Sequence, residues 1–508
     1  VVVGNRTLLP ADILYTFAPY RAAADTMGVA EVQNPLLADL ILENYPWKRF
    51  LVTSLRERSL PLWDPYLFAG HPFLANGQHS ALYPLTWLFF VLPISRAFGV
   101  FIALQLGIAG LSMYALARTM GARRHGAFLA GVTFQFSGFL IASVVHPMIV
   151  AAASWLPLLL ALVDLTVRRE RFFAQPRAML PWALFGAVVL GLQILAGHAE
   201  ATYFSLLVIG AFGAWRLAYR LWRYPREQWR AEVVRPALLL ILMVGLGLAL
   251  GAIQLIPLYE VVQSSFREGA VALSDVLGWA YPKRRIITFL TPNFFGNPTP
   301  DTLVNFFTGE WMSATVNAHG DPISAFDWGI KNYVEGAAYV GLLPLLLAVI
   351  AVLRPLASKR EAPSGFGRKP TPRKQRLRVK LRSVLGAWLR DPYVPFFTLL
   401  SLFSLGCIFG TPLYAVIYAL PFFNQSHSPF RWVFPLTVAL AALAGLGATA
   451  VAEFRETRGP DGGASGPAPK GLKRWFFFDT APNLISAVGV TAIWAGLAML
   501  SGLWGARL

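Results

Sequence analysis

The fold is decided by residues 98–145, which read FGVFIALQLGIAGLSMYALARTMGARRHGAFLAGVTFQFSGFLIASVV. Two apolar stretches, Phe98–Leu116 and Ala127–Val145, are each long enough to cross a bilayer core of about 30 Å as a helix. A short basic segment, Arg118–Arg124, separates them. An apolar crossing, a basic turn and a second crossing predict a helical hairpin in a membrane.

The whole chain has the composition of a membrane protein. Of its 508 residues, 56% are hydrophobic and only 14% are charged, and the mean hydropathy is +0.53. Ordinary soluble domains carry about 25% charged residues. Because one soluble core cannot bury this much apolar surface, the composition excludes a soluble enzyme, a disordered tail and a disulfide-rich secreted module. The single cysteine, Cys407, excludes an intrachain disulfide.

Further apolar stretches continue the pattern along the chain. They predict about ten transmembrane helices: Phe98–Leu116, Ala127–Val145, Met148–Val167, Leu180–Leu195, Ala201–Leu217, Ala237–Leu258, Tyr333–Leu353, Val394–Phe409, Trp432–Ala452 and Leu484–Trp504. Two shorter pieces bounded by prolines, Leu82–Leu92 and Leu413–Phe423, predict re-entrant or interfacial helices. The expected fold class is an all-α polytopic membrane protein. Because the sequence starts with Val1, we expect a longer protein with a span before this residue.

Basic residues are concentrated in alternate loops. Five segments hold 30 of the 44 Lys and Arg residues: Arg118–Arg124, Arg168–Arg177, Arg216–Arg235, Arg354–Arg390 and Arg455–Arg474. All five fall on one side if every apolar stretch crosses once, and the positive-inside rule makes that side cytoplasmic. Basic loops facing an anionic inner leaflet explain the net charge of +18, so we expect no nucleic-acid partner.

This topology divides the chain into six regions. Residues 1–97 form an extracytoplasmic first loop with interfacial helices, 98–258 hold the first six spans, and 259–332 form a second extracytoplasmic loop. The seventh span occupies 333–353 and a basic cytoplasmic linker occupies 354–390; residues 391–508 hold the last three spans and the re-entrant segment 411–423. Within the amphipathic stretch Pro35–Arg58 of the first loop, Pro35–Leu55 has apolar residues at near-helical spacing together with Trp47, Lys48 and Arg49, and predicts a helix that lies on the membrane surface.

Asp12 is the candidate catalytic residue of the first loop. A carboxylate at this point is expected at the boundary between water and lipid, where it can act as a general base on a substrate headgroup. The alternatives are an ordinary interfacial charge and a helix N-cap, the latter because Asp12 follows Pro10 and precedes an apolar helix-like run.

Other polar residues on the same side are candidate substrate-binding groups. They are Asp64, His71, Asn76, Gln78, His198, Glu200, Arg284, Arg285 and Arg431. Imidazoles and amides can bind sugar hydroxyls, and arginines can clamp a phosphate. Plainer alternatives are a turn for Asp64, a solvated hairpin tip for His198 and Glu200, and an interfacial anchor for Arg431.

Several quoted segments together carry a family resemblance. The most specific is PLWDPYLFAGHPFLANGQHSALYPLTWLFFVLP at 61–93, joined by ADILYTFAPYR at 11–21, AGHAEATYF at 196–204, YVEGAAYVGLLPLLLA at 333–348 and SPFRWVFPLTVALAALAGLGA at 428–448. These segments resemble the bacterial YfhO family of membrane proteins, which is similar to the GT-C class of multi-span glycosyltransferases. The resemblance implies a GT-C-like fold, a polyprenyl-phosphate sugar as donor, an extracytoplasmic active site, and a first-loop acid that Asp12 matches by position.

The function expected from this resemblance is an inverting sugar transfer in a bacterial cytoplasmic (inner) membrane. The acceptor is a cell-envelope glycan, polymer or protein; Asp12 takes the acceptor proton, and Arg431, or else Arg284 or Arg285, offsets the charge of the leaving lipid phosphate. The sequence contains no metal-type spacing of His and Cys, so no cofactor is certain. A divalent metal stays open. The alternatives are a lipid-linked-sugar flippase or transporter, and a non-catalytic protein of envelope assembly.

Overall fold

The computed structural model describes most of the chain between residues 7 and 456. The gaps in this range are 30–31, 33, 35–36, 68, 171–178, 265–270, 296–301, 305–310, 314–332, 335, 358–385, 387, 422 and 424–427. The predicted tenth span, Leu484–Trp504, and most of the basic linker 354–390 lie outside the described residues.

Helices make up nearly all of the regular structure. The α-helices are α1 (Tyr45–Arg56), α2 (Phe73–Asn76), α3 (Leu88–Val91), α4 (Ile94–Thr119), α5 (Arg124–Gln135), α6 (Gly138–Ala142), α7 (Pro147–Ala153), α8 (Leu156–Arg168), α9 (Leu180–Leu195), α10 (Ala199–Arg223), α11 (Arg235–Gln263), α12 (Leu273–Gly278), α13 (Leu342–Ala357), α14 (Val394–Ile408), α15 (Tyr414–Tyr418) and α16 (Val433–Glu456). Shorter 3₁₀ or π segments include Ala11–Thr16, Leu40–Asn44, Pro84–Trp87, Arg230–Val234, Lys283–Phe289 and Pro429–Trp432.

Two small antiparallel sheets correct the all-α expectation. Strand β1 (Trp63–Asp64) pairs with β2 (His71–Pro72), and β3 (Thr302–Val304) pairs with β4 (Trp311–Ser313). Both sheets belong to regions predicted as loops, where prolines, glycines and polar residues favour tight turns over helices. The chain is therefore mostly helical rather than wholly so.

Six helical segments are long and apolar enough to cross a membrane. They are Ile94–Thr119, Arg124–Val145, Pro147–Arg168, Ala199–Arg223, Arg230–Gln263 and Pro429–Phe454. Three shorter apolar helices, Leu180–Leu195, Leu342–Arg354 and Val394–Ile408, coincide with three more of the predicted spans. At 1.5 Å per residue such helices fall short of a bilayer core, so the count of about ten spans is not confirmed.

Three predicted spans differ from the continuous helices that the sequence predicts. The second span is interrupted at Phe136–Ser137, where the Ser137 side chain caps α6, and the third is interrupted at Ser154–Trp155. The seventh was predicted over Tyr333–Leu353, but α13 starts at Leu342. Residues 337–341 form no helix, and the Tyr339 carbonyl accepts a hydrogen bond from the Gly138 amide at 2.7 Å.

The predicted non-spanning helices are confirmed as short or amphipathic pieces. Leu82–Leu92 contains only a 3₁₀ turn and the four-residue α3, and Leu413–Phe423 contains the five-residue α15. The amphipathic stretch forms a π-helical turn, Leu40–Asn44, that continues into α1.

The helices differ in how much of their surface the protein covers. In the most apolar windows of Pro147–Arg168 and Pro429–Phe454, 83% of the residues are buried, whereas the corresponding value for Arg230–Gln263 is 22%. The segment containing α7 and α8 and the one containing α16 are therefore central, and α11 presents most of its apolar side chains outward, as a lipid-facing helix does.

The described basic loops meet at one end of the bundle. Arg168 donates to the Thr119 carbonyl at 2.7 Å, the Arg123 amide donates to Thr449 Oγ1 at 3.0 Å, and Arg354 pairs with Glu453. These contacts join the ends of α4, α8, α13 and α16 with the start of α5. The predicted alternation of loops is confirmed for these segments, and we call this the basic end.

The first loop and the remaining connections gather at the opposite end. Ser80 donates to the Ala196 carbonyl at 2.7 Å, which joins the first loop to the α9–α10 turn. The Tyr281 amide donates to the Ile408 carbonyl at 2.9 Å, which joins the second loop to the end of α14. The candidate residues all belong to this end, which we call the loop end.

A buried charge network holds the basic end together. Asp164 is fully buried on α8, where its carboxylate lies 2.7 Å from the Arg216 guanidinium of α10 and accepts a hydrogen bond from the Tyr393 hydroxyl at 2.9 Å. Arg168 is a second, more distant partner at 3.6 Å. A carboxylate within a span is costly unless it is paired, and this pairing gives Asp164 a structural role.

We expect Asp164→Asn to destabilise the protein by about 3–5 kcal/mol, because it leaves the buried Arg216 charge without its carboxylate. Equilibrium unfolding of the detergent-solubilised protein measures the loss. Glu170→Gln is the matched control, since Glu170 pairs with Arg168 at a partly exposed site and contributes about 0–1 kcal/mol. Equal losses for the two variants would contradict the structural role of Asp164.

Candidate functional site

A cavity of about 400 Å³ lies at the loop end between α10 and α11. Most of its lining is apolar, and its polar side chains come from a few positions. The lining residues are Gly77, Ile194, Gly197, Ala199, Glu200, Thr202, Tyr203, Leu206, Leu248, Gln254, Leu255, Leu258 and Phe423. The cavity reaches from the α9–α10 turn to the second helical turn of α10, so it occupies the loop-end half of the bundle.

The cavity has a roof because the first loop packs directly on the α9–α10 turn. Gly77 and Gly197 both have positive φ, +80° and +92°, and a Cβ on Gly197 would lie 2.1 Å from the Gly77 carbonyl oxygen. Gln254, in an apolar stretch of α11, donates to the Leu74 and Ala75 carbonyls at 3.1 and 3.2 Å. This seam needs two glycines and one buried amide at positions far apart in sequence.

A charged pair, Glu200 and Arg431, lies at the polar end of the cavity. Glu200 lies in the first turn of α10, and its carboxylate forms an ion pair with the Arg431 guanidinium. Arg431 belongs to the 3₁₀ turn Pro429–Trp432 that leads into α16. The side chains are 21% and 29% exposed, respectively, so water or a ligand headgroup can reach both. The structure thus joins two predicted residues that are separated by 231 positions.

Two histidines and an aspartate surround this pair. His198 is the N-cap of α10, and its Nδ1 accepts a hydrogen bond from the Ala201 amide at 3.0 Å. His146 Nδ1 lies 3.8 Å from a carboxylate oxygen of Asp39. Burial lowers the pKa of His198 to about 3 and also lowers the pKa of His146, and the Arg431 charge acts on both in the same direction. Both imidazoles are therefore neutral near pH 7.

We call Glu200, Arg431, His198, His146 and Asp39 the polar mouth. Sequence reasoning missed Asp39 and His146, since neither lies in a recognisable motif and 107 positions separate them. A signal for Gln254 was present, because it is an amide inside an apolar span, and polar groups in spans are informative.

The first-loop candidates mostly have structural roles. Asp64 is buried, and its Oδ1 accepts a hydrogen bond from the Tyr66 amide at 2.9 Å, which confirms the predicted turn. Asp64 and His71 face each other across the β1–β2 pair, away from the cavity lining. Asn76 and Gln78 flank Gly77 at the roof, with Asn76 half-buried and Gln78 exposed.

Asp12 lies in the first turn of the 3₁₀ helix Ala11–Thr16. Pro10 occupies the N-cap position, so the alternative assignment of Asp12 as the N-cap is wrong. This helix packs against the π-helical turn Leu40–Asn44, which directly follows Asp39 of the polar mouth. Asp12 is half-buried and is not among the residues that line the cavity.

The arginines of the second loop separate into two environments. Arg284 is exposed, whereas Arg285 is 3% exposed and its guanidinium stacks 4.4 Å from the centre of the Tyr281 ring. Tyr281 in turn stacks on Phe430, the neighbour of Arg431 in sequence. Arg285 therefore supports the turn that carries Arg431, while neither Arg284 nor Arg285 lines the cavity.

Lys48 and His79 stabilise the first loop through hydrogen bonds to its backbone. Lys48 is 2% exposed, donates to the His79 carbonyl at 2.5 Å, and lies 4.9 Å from the centre of the Phe89 ring. Its burial lowers the pKa of the amine to about 7. The His79 ring bonds to the Phe73 carbonyl at 2.7 Å and accepts from the Ala81 amide, so it closes the turn around Gly77.

The described residues contain no group of three or more His, Cys, Asp or Glu side chains that could hold a metal ion. The polar mouth offers two carboxylates and two imidazoles, but in this structure Glu200 is held by Arg431 and His198 caps α10.

The fold and the site define a bacterial multi-pass membrane protein. Residues 72–178, from the roof of the cavity to the end of α8 and the residues that follow it, match the family of the bacterial membrane protein YfhO. This match confirms the family resemblance over about a fifth of the chain. No curated protein and no solved structure matches the chain significantly.

Gly197→Ala is expected to cost at least about 2 kcal/mol of stability, because an alanine at positive φ is strained and its Cβ would meet the Gly77 carbonyl. Reversible unfolding in mixed detergent measures the change. Gly210→Ala, on α10 with no atom within 4 Å of the added Cβ, is the control and should stabilise the helix by roughly 0.5–1 kcal/mol. If both substitutions were neutral, the seam between Gly77 and Gly197 would not be as tight as described.

Lys48→Met is expected to remove a pH dependence of stability. Between the folded-state pKa of about 7 and the ordinary value of 10.5, the unfolded chain binds more protons, so wild-type stability rises with pH in this window. The slope is about 1.4 kcal/mol per pH unit. Unfolding measured at pH 7, 8 and 9 should show this rise in wild type and in the exposed control Arg49→Met, but not in Lys48→Met. A rise that persists in Lys48→Met would exclude Lys48 as its source.

Proposed function

We propose that this protein is an integral membrane glycosyltransferase of GT-C type. It transfers a sugar from a polyprenyl-phosphate donor to a cell-envelope acceptor outside the cytoplasmic membrane, with inversion at the anomeric carbon. The observation that carries the proposal is the apolar cavity whose polar lining begins at an arginine–glutamate pair. The YfhO family match is consistent with it but assigns no activity.

The cavity suits the two chemical parts of such a donor. Leucines of α10 and α11 together with Phe423 provide an apolar wall for an isoprenoid chain. Because the described residues leave α11 largely uncovered, a lipid tail can enter from the bilayer beside it. At the other end, Arg431 provides the planar pair of N–H donors that binds phosphate most effectively.

The reaction uses groups of the loop end. The acceptor hydroxyl oxygen attacks the anomeric carbon while the bond from this carbon to the phosphate oxygen breaks. Asp12 takes the hydroxyl proton, and the leaving polyprenyl phosphate gains negative charge that Arg431 offsets. Asp12 is outside the cavity lining, so the donor's sugar extends from the polar mouth towards the 3₁₀ helix Ala11–Thr16.

The orientation of the reaction follows from charge. The basic end carries the arginine-rich loops and is assigned to the cytoplasm by the positive-inside rule. The loop end, with the cavity and Asp12, then faces the extracytoplasmic side, where a cell-envelope acceptor is available.

The competing function is transport of a lipid-linked sugar. A flippase needs its polar groups near the bilayer midplane and access from both sides. The polar side chains of the cavity lie on the first two turns of α10 and at Gln254 in the loop-end half of α11, and only the apolar Leu248 reaches the middle of α11. This distribution favours transfer over transport. A non-catalytic assembly role has no observation that favours it.

Asp12→Asn is expected to lower sugar transfer by at least about 100-fold, since a general base usually contributes that much or more. The assay uses purified protein in lipid nanodiscs with a radiolabelled polyprenyl-phosphate hexose and cell-envelope acceptor. Asp25→Asn, an exposed first-loop carboxylate, is the matched control and should retain wild-type turnover.

Two outcomes of this experiment count against the proposal. Wild-type turnover in Asp12→Asn would remove Asp12 from the mechanism. Movement of the intact donor between leaflets of proteoliposomes, with the sugar–phosphate bond unbroken, would identify a flippase instead.

A further inference from the structure

The polar mouth has an unusual charge balance for an anion site. With both imidazoles neutral, it holds one cation, Arg431, and two carboxylates, Glu200 and Asp39. A phosphate arriving at this mouth meets net negative charge. It can bind Arg431 well only if one of the carboxylates moves away.

Glu200 is the carboxylate in direct contact with Arg431, and it is also the one that lines the cavity. Its side chain is 21% exposed and lies on the first turn of the 25-residue α10. A side chain in this position can rotate away from the guanidinium towards water without moving the helix. Asp39 has a different partner, because its carboxylate lies 3.8 Å from His146 Nδ1.

The space vacated by Glu200 is suited to an anion. The amino end of α10 carries partial positive charge from the helix dipole, and Ala199 at this end lines the cavity. The Arg431 guanidinium would offer the same N–H donors that now contact Glu200. A phosphate at this point would therefore replace the carboxylate on the same donors while its lipid tail lies against Leu206, Leu248 and Leu255.

We propose that Glu200 is an internal competitor for the lipid phosphate: its carboxylate occupies Arg431 in the empty site and is exchanged for the phosphate of an isoprenoid phosphate monoester. This inference rests on the proposed function, because it assumes that Arg431 receives the phosphate. Glu200 sets how tightly the phosphate is held, and by reclaiming Arg431 it promotes release of the leaving lipid phosphate.

The exchange predicts an effect opposite to that of an ordinary substrate-binding residue. Removing the Glu200 charge should strengthen phosphate binding rather than weaken it. A hydrogen bond between charged groups contributes enough that losing such a competitor changes affinity by about tenfold or more.

The test measures binding of farnesyl phosphate, with farnesol and inorganic phosphate as comparison ligands, to purified protein in nanodiscs. Glu200→Gln should bind farnesyl phosphate at least about tenfold more tightly than wild type. Glu260→Gln makes the same charge change at the exposed, loop-end part of α11 and should match wild type. The double variant Glu200→Gln/Arg431→Gln should lack the gain in affinity, and Arg431→Gln alone should bind no more tightly than wild type. Farnesol, which has no phosphate, should bind all variants equally.

A second substitution protects the test against a folding defect in Glu200→Gln. Glu200→Asp keeps the charge but shortens its reach to Arg431, so its affinity should fall between those of wild type and Glu200→Gln. Thermal melting of each variant establishes that the compared proteins are folded.

The possible failures are distinguishable. If Arg431→Gln weakens binding in the wild-type background but Glu200→Gln is no tighter than wild type, the exchange is wrong and the phosphate site stands. If farnesyl phosphate binding is independent of Arg431 in every background, the phosphate site of the proposed function is itself wrong. If inorganic phosphate bound Glu200→Gln as tightly as farnesyl phosphate does, the isoprenoid chain would contribute nothing, and the site would be assigned to free phosphate rather than to the lipid.

Discussion

A bilayer interior tolerates charge only where it is paired or at an end of the helices, and this constraint organises the whole molecule. The basic loops collect at one end, and the buried Asp164 is tied to Arg216 and Tyr393 there. The loop end carries charges of both signs, and among them the Glu200–Arg431 pair lies beside an apolar cavity. The two ends thus have different roles: ion pairs at the basic end join the helices, and the loop end contains the candidate functional site.

The site depends on how closely the first loop approaches the helices. Gly77 and Gly197 allow backbone to contact backbone. Gln254 donates hydrogen bonds to carbonyls that this approach would otherwise bury without a donor. The YfhO-family match begins in this loop at Pro72 and continues through α8. The matched region therefore includes the roof of the cavity, whereas α10, α11 and Arg431 come from outside it.

Much of the architecture could be predicted from the sequence because hydrophobic length and loop charge are local properties. They located nine of the ten predicted apolar stretches on helices of the structure, and they placed the basic loops on one side. They could not reveal the break at Ser137, whose side chain caps α6, or residues 337–341, which form no helix although they belong to a predicted span.

The site was only partly predictable, because its members meet through tertiary structure. Glu200 and Arg431 were each named on chemical grounds, but their pairing across 231 positions has no sequence signature. Asp39 and His146 were missed because neither lies in a recognisable motif. The burial of Lys48 was missed because a charged residue in an amphipathic stretch ordinarily faces water. Asp64 was named as a candidate and closes a turn instead.

The central claim is that the cavity holds the tail of a lipid phosphate whose headgroup lies on Arg431. Electron cryomicroscopy of the protein in nanodiscs with a polyprenyl phosphate tests it most directly. The account predicts lipid density between α10 and α11, with the phosphate within hydrogen-bonding distance of Arg431 and the Glu200 side chain turned away. An empty cavity with the lipid bound elsewhere, or a phosphate that lies at the basic end, would contradict it.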